Sequence, residues 1–279
     1  LVERVEDPDG EALTTSYSYT SVGGKPYLAG HVSPDGSWMR RDFDGQGRVT
    51  SEVRPWLDSS NSVSYSQSRE TVYSYQPVDD ADVQANRGDY GALAARFADR
   101  PRSVTEKILG QVVSRTLMVY VGHDDDTHEV IQERCATPSC AYGDSTNLRS
   151  RSRYHNSSTG ERFEGLLQSV TQAGGQRSSY SYEEADGGLV TTVTHGTSDA
   201  PEGIANQTLR EIRYEDAEGR TTRSEQYVYT GSDYNLLAFK DHEYDAEGRL
   251  VGTIASDGST TESSWNCCGY DNQTDANGI

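Results

Sequence analysis

The pentapeptide Asp-Ala-Glu-Gly-Arg occurs twice, at 216–220 and 245–249, and Asp275-Ala276-Asn277-Gly278 continues the series, so that the quartets begin 29 and 30 residues apart. A fixed period of this size indicates one supersecondary unit stacked on copies of itself. Arrays of that kind build surfaces and walls more often than catalytic pockets, which sets the first expectation against an enzyme. Asp-x-x-Gly also has a local meaning. Asp at the first position of a type I turn caps the backbone, and Gly at the fourth accepts a positive φ. The result is a three-residue hairpin loop closed by a Gly bulge. In Tyr244-Asp245-Ala246-Glu247-Gly248-Arg249-Leu250 this register sets Asp245 opposite Arg249, and Tyr244 opposite Leu250 on the other side of the sheet.

Relaxed copies extend the series. Asp44-Gly45-Gln46-Gly47, preceded by Phe43 and followed by Arg48, fits well, as does Asp7-Pro8-Asp9-Gly10. Ser157-Ser158-Thr159-Gly160 and Glu184-Ala185-Asp186-Gly187 fit loosely, giving starts at 157, 184, 216, 245 and 275. In the copy at Asp216, Gly219 and Arg220 keep their places, but Tyr214 stands one residue further from the turn, which implies a bulge or slip. Second turns at Ser33-Pro34-Asp35-Gly36, Ser256-Asp257-Gly258 and Tyr229-Thr230-Gly231 cut the chain into the short strands of a meandering β array.

Composition agrees with a thin sheet. Hydrophobic residues make up 33% of the 279, and 18 Tyr outnumber 4 Phe, so a compact core of Leu, Ile and Phe is not expected. Tyr suits a strand packed on one side and wet at its hydroxyl. The net charge of −19 opposes binding to nucleic acid and to anionic membrane surfaces. No apolar run reaches the ~18 residues of a membrane span.

Residues 157–279 read as one set of repeats and 1–76 as another, with 111–156 as a long β-hairpin region. Between them, 77–110 reads as an inserted loop. Within it Asp89–Ala98 carries apolar residues at helical spacing, with Pro101 as a stop. No linker divides the chain, which reads as one continuous unit. It starts in mid-pattern and stops just after a turn whose return strand is missing, as expected for a segment of a longer repeat protein.

Tyr-Asp-x-x-Gly-Arg-Leu followed by a strand and a second Asp-Gly turn resembles the rearrangement-hot-spot (RHS) or YD-repeat family. Residues 243–258 carry the pattern, 33–50 carry it with Phe43 for Tyr, and Trp265-Asn266-Cys267-Cys268-Gly269 before Asp275 is similar to a cysteine-bearing variant. The resemblance implies short antiparallel strands wound as a spiralling sheet, a partial shell or open wall with Tyr stacked along it. Members of the family include bacterial toxin cocoons, insecticidal toxin-complex components and teneurins. The self-cleaving Asp-Pro-x-Gly motif that ends many cocoons is matched only by Asp7-Pro8-Asp9-Gly10, which lies at the start, lacks the accompanying Leu and reads as a turn.

Four cysteines fall into two local pairs, Cys135/Cys140 across a Pro-containing turn and the vicinal Cys267/Cys268. The first pair reads as a disulfide; for the second, a vicinal bridge and reduced packing thiols stand even. Local pairing favours an oxidising, extracellular or cell-surface setting. Asp124-Asp125-Asp126 between His123 and His128, and Asp79-Asp80-Ala81-Asp82, offer oxygen ligands, but without an EF-hand pattern they read as solvated loops. Sequons stand at Asn156, Asn206 and Asn272. No catalytic, cofactor-binding or metal-binding residue is singled out, and no cofactor is expected. The expectation is a non-catalytic structural segment, partnered by neighbouring repeats, further copies or an enclosed polypeptide. The alternative is a carbohydrate-binding or adhesive surface in which exposed Trp38, Trp56 and Trp265 stack on a glycan.

Overall fold

The computed structural model describes residues 2–6, 13–78, 97–123, 126–156, 163–199, 203–266 and 269–275. The chain is all-β, with nineteen strands, one 3-10 turn (Tyr65–Gln67) and no α-helix among the described residues. It groups into two compact units, 1–150 and 151–279. The first holds β1 (Val2–Glu6), β2 (Leu13–Val22), β3 (Lys25–Val32), β4 (Trp38–Phe43), β5 (Val49–Arg54), β6 (Arg69–Ser74), β7 (Ser103–Ile108), β8 (Gln111–His123) and β9 (Thr127–Arg134). From β1 to β9, each strand pairs antiparallel with the next. After β10 (Leu148–His155), which spans the division, the second unit holds β11 (Leu167–Thr171), β12 (Gln176–Ala185), β13 (Gly188–Asp199), β14 (Gly203–Glu215), β15 (Thr221–Tyr229), β16 (Tyr234–Tyr244), β17 (Leu250–Ala255), β18 (Thr260–Asn266) and β19 (Gly269–Asp275). These too pair in chain order.

The segment expected to be an insertion, 77–110, contains β7, which pairs with β6 and β8, so the ladder continues through its second half. The helical spacing within Asp89–Ala98 falls mostly on 79–96, outside the described residues. So do the turns at 7–10 and 157–160.

The two units are held together differently. The first has a small apolar interior in which Trp38, Met39, Val53, Leu117 and Tyr120 are buried and Val119, Val121 and Ile131 form a cluster with Val78 and Tyr142 against it. In the second unit every fully buried non-glycine residue among those described is polar: Arg153, Ser169, Arg177, Thr191 and Glu225. Its apolar side chains are at most partly buried, so backbone ladders and side-chain hydrogen bonds carry a larger share of the stability there.

Three hairpins share one geometry. Asp44, Asp216 and Asp245 each donate their backbone N–H to the carbonyl of the Arg four residues on, and accept from Gly47, Gly219 and Gly248 at 3.0 Å. Those glycines have φ of 82, 79 and 80°. Beyond the closing pair, a second bulge follows at the same offset in each, between Asp42/Phe43, Tyr214/Glu215 and Glu243/Tyr244. The copy at Asp216 is therefore not slipped; Glu215 simply takes the place Tyr244 holds in the next copy, and Tyr214 falls on the opposite side of the strand. The loose copy at 184–187 is a different turn. Ala185 pairs with Gly188 across a two-residue loop, and Asp186 and Gly187 both have positive φ, 51 and 78°. That conformation suits Asp-Gly and matches the twist of the strands.

The surroundings of the three turn glycines rank their substitutions. Alanine at φ near 80° costs about 1–2 kcal/mol at each. At Gly219 the added Cβ meets nothing, at Gly248 it lies 3.2 Å from Arg220 Nη1, and at Gly47 it runs into the ring and hydroxyl of Tyr27. Chemical denaturation of Gly219→Ala, Gly248→Ala and Gly47→Ala should show losses rising in that order. Equal losses would refute the different packing of the three turns.

Candidate functional site: the turn clasps

Each Asp-x-x-Gly-Arg turn is a charge-locked clasp. In the copy at 245, Asp245 Oδ1 accepts from the backbone N–H of Glu247 (3.1 Å) and Arg249 (2.8 Å), while Oδ2 accepts Arg249 Nε at 2.7 Å and Nη2 at 2.7 Å. Asp216 repeats this with Glu218 and Arg220, and Asp44 with Gln46 and Arg48. With Nε and Nη2 both on Oδ2, the guanidinium is fixed in plane and its flat face is left open to packing.

That face receives an aromatic ring from later in the chain. Arg48 lies over Tyr75 at 4.3 Å, Arg220 over Tyr244 at 5.2 Å, and Arg249 over Trp265 at 5.8 Å. The same rings donate a hydrogen bond to the carbonyl just past the Arg. Tyr75 Oη reaches Val49 O at 2.9 Å, Tyr244 Oη reaches Thr221 O at 2.9 Å, and Trp265 Nε1 reaches Leu250 O at 2.9 Å. Tyr182 Oη makes the equivalent bond to Leu167 O at 2.8 Å, two residues past Gly165, where the turn has no Arg. The sequence predicts Tyr244 as an apolar partner of Leu250, on the other side of the sheet from the ion pair. The structure keeps Tyr244 opposite Leu250 and also lays its ring on the Arg of the preceding turn. The period of the motif was the available signal, because it brings each aromatic back beside the previous turn.

Electrostatics follow from these contacts. At Asp44 and Asp216 partial desolvation pushes the carboxyl pKa up, but the backbone N–H, guanidinium and charge of Arg48 and Arg220 outweigh it. At Asp245 the backbone N–H of Arg249 leads, and all three carboxyls lie below the ordinary range. A further buried carboxylate, Glu225, accepts Arg223 Nε at 2.7 Å, Tyr227 Oη at 2.8 Å and Tyr214 Oη at 3.1 Å. Burial works against its charge, and those three donors still hold its pKa down. Burial pushes Tyr182 up to about 12, with Tyr180 adding to the effect.

The disulfide Cys135–Cys140 is present, with Cα atoms 5.6 Å apart. It closes the start of a loop wrapped on Glu133, which is 1% exposed. Glu133 accepts from Gly143 N, Asn147 Nδ2 and Arg149 Nε at 2.9, 2.9 and 2.6 Å. Nothing in the sequence around Glu133 singles it out. Cys267, Cys268 and Gly278 lie outside the described residues, and Asp275 is described only by its backbone, opposite Thr261.

The tryptophans are not the exposed platforms expected. Trp38 is 3% exposed, with Nε1 bonded to Ser59 O. Trp265 is half-buried in its clasp, and Trp56 is half-buried beside Ser59. Of the His-Asp run, Asp124 and Asp125 lie outside the described residues, and His128 is buried against Phe97. No cluster of three metal-ligating side chains occurs among the described residues.

No family model and no curated protein matches the chain. Among solved structures, TcdB2-TccC3, TcdB2-TccC3-Cdc42, and TcdB2-TccC3 without its hypervariable C-terminal region align with it at 12, 14 and 12% identity. TM-scores are 0.23, 0.23 and 0.22, and the alignments cover 95, 95 and 94% of this chain. The chain spans 17, 17 and 15% of those chains. TM-scores of this size establish no common arrangement of strands.

Two outcomes follow from the clasps. Tyr244→Phe keeps the ring but strips the bond to Thr221 O, and should cost about 1 kcal/mol in denaturant unfolding; no loss would show that bond to be idle. The turn carboxyls have folded pKa values below their unfolded ones, so their contribution is complete above about pH 4 and fades as pH falls through the folded values. Tyr182 is shifted upward, so its contribution is complete below about pH 10 and fades toward 12. Thermal midpoints should drop outside these limits, modestly on the acid side because the clasps are solvent-screened, and the burial that holds the His242 pKa below its ordinary value adds a fall as pH drops below about 6.5. A midpoint constant down to pH 2 would contradict the clasp electrostatics.

Proposed function

We propose that the chain is a non-catalytic structural segment of a secreted or surface-displayed protein of the YD-repeat type, whose role is to extend a β wall. The observation that carries this reading is the clasp itself. Three turns hold an Arg for an aromatic from later in the chain, so at these places one hairpin supplies the receptor that its successor needs. Stability in such a system grows by neighbour contacts rather than by enclosing a core. The second unit, with no fully buried apolar side chain among the described residues, fits that economy. The Cys135–Cys140 bridge supports an oxidising, extracellular setting. The acidic charge of −19 keeps the wall soluble.

On this reading the natural partners are neighbouring repeats, further copies of the chain, or a polypeptide that the wall encloses. Sedimentation velocity across a wide concentration range, paired with negative-stain electron microscopy, tests it. Association into sheets, shells or filaments is expected. A compact monomer at every concentration would contradict the self-assembling form of the proposal.

A further inference from the structure

Among the described residues five other than glycine have a positive φ, and three of them, Asp126, Asp186 and Asn206, are of the types that tolerate it. The other two are leucines, Leu57 at φ 52° and Leu109 at 50°. For Leu109 the chain holds its own control. Leu109-Gly110 is a two-residue loop between paired Ile108 and Gln111, with both φ positive, as at Asp186-Gly187. Asn or Asp is preferred at the first of these positions, and a leucine there is strained. Burial does not offset that strain, since Leu57 is 81% and Leu109 49% exposed. Strain held at an exposed apolar side chain points to a contact outside the folded chain.

Both leucines stand on one rim of the first unit. Arg54 pairs with Arg69 and Arg69 with Ile108, so the end of β5, the start of β6 and the end of β7 lie side by side. Leu57 follows the first of these ends and Leu109 the third, on strands about 10 Å apart. Hydrogen bonds hold each tip in place. Trp56 N donates to Ser59 Oγ at 2.9 Å, and Ser59 O accepts Trp38 Nε1 at 2.8 Å. Leu109 N donates to Ser68 O at 3.0 Å. Apolar tips on a backbone fixed in this way need little ordering on contact.

The charges beside the leucines choose the partner. Asp58, next to Leu57, is exposed and makes no hydrogen bond or ion pair among the described residues. Arg54 is held by Glu52 at 2.8 Å, whereas Arg69, more than half exposed, lies 3.6 Å from its nearest carboxylate, Glu106. A lipid surface would bring Asp58 among phosphates, and an acidic peptide would meet Arg69 but set like charge against Asp58. A second copy answers both signs. A two-fold contact sets Leu57 and Asp58 of one copy against Leu109 and Arg69 of the other, and does so twice. We propose that this rim is the surface on which one copy of the chain docks on another, with the two leucines as apolar knobs and Asp58–Arg69 as the ion pair. The inference rests on the reading of the chain as a self-assembling wall and names the surface used.

Sedimentation velocity on the whole chain, comparing the parent with Leu57→Asn, Leu109→Asn and Asp58→Lys, tests it. Asn suits the left-handed backbone, so the unfolding midpoints of the two Asn variants should hold or rise. Their self-association should weaken about tenfold or more, as expected for a lost leucine contact. Asp58→Lys should weaken it as well, and adding Arg69→Glu to Asp58→Lys should restore it. If the parent associates and the Asn variants associate equally, this surface is wrong while the wall reading stands. A parent that stays monomeric at every concentration overturns both. Binding of phosphatidylcholine vesicles or poly-glutamate that the Asn variants lose, with self-association unchanged, would give the rim to another partner and overturn the proposal.

Discussion

The interaction on which the rest depends is an arginine held edge-on by a turn carboxylate, with its face given to an aromatic ring from later in the chain. A hairpin alone is marginal in water, and a two-stranded ribbon with few buried apolar residues more so. The Asp–Arg lock makes the turn rigid, and the ring on the guanidinium makes that rigidity useful to the next unit. Arg48–Tyr75, Arg220–Tyr244 and Arg249–Trp265 repeat the device with two kinds of ring and the same backbone acceptor. What is kept constant is the geometry of the turn, while the ring varies.

The clasp also gives one reason for Tyr in place of Phe. A sheet stabilised this way needs Tyr more than Phe, because the hydroxyl must reach a carbonyl while the ring covers a cation. Trp265 meets the same demand with its indole N–H. Buried carboxylates such as Glu225 and Glu133 are tolerated because each is saturated with donors, and neither would survive inside an apolar core.

Much of this was legible in the sequence. Asp-x-x-Gly-Arg gave the turn type, the Gly conformation and the pairing of Tyr244 with Leu250, because those depend on residues within one hairpin. The link from Tyr244 back to Arg220 was not legible, since it depends on how far one hairpin is displaced over the last. Of the bulge or slip implied by the offset of Tyr214, the bulge is present, between Tyr214 and Glu215, and it recurs in the other copies. The Tyr214 hydroxyl serves Glu225, a partner that only the folded sheet brings near. The tryptophans misled because what covers them is distant in sequence: Trp38 is tied by its Nε1 to Ser59 O, and Trp265 to Leu250 O.

The central claim is that turn arginine and later aromatic stabilise the sheet jointly. A double-mutant cycle on Arg220→Met and Tyr244→Leu, read by denaturant unfolding, addresses it directly. If the two side chains act as one contact, the double variant loses clearly less stability than the sum of the single variants. Strict additivity would mean that the ring and the guanidinium merely lie near one another, and would contradict the account.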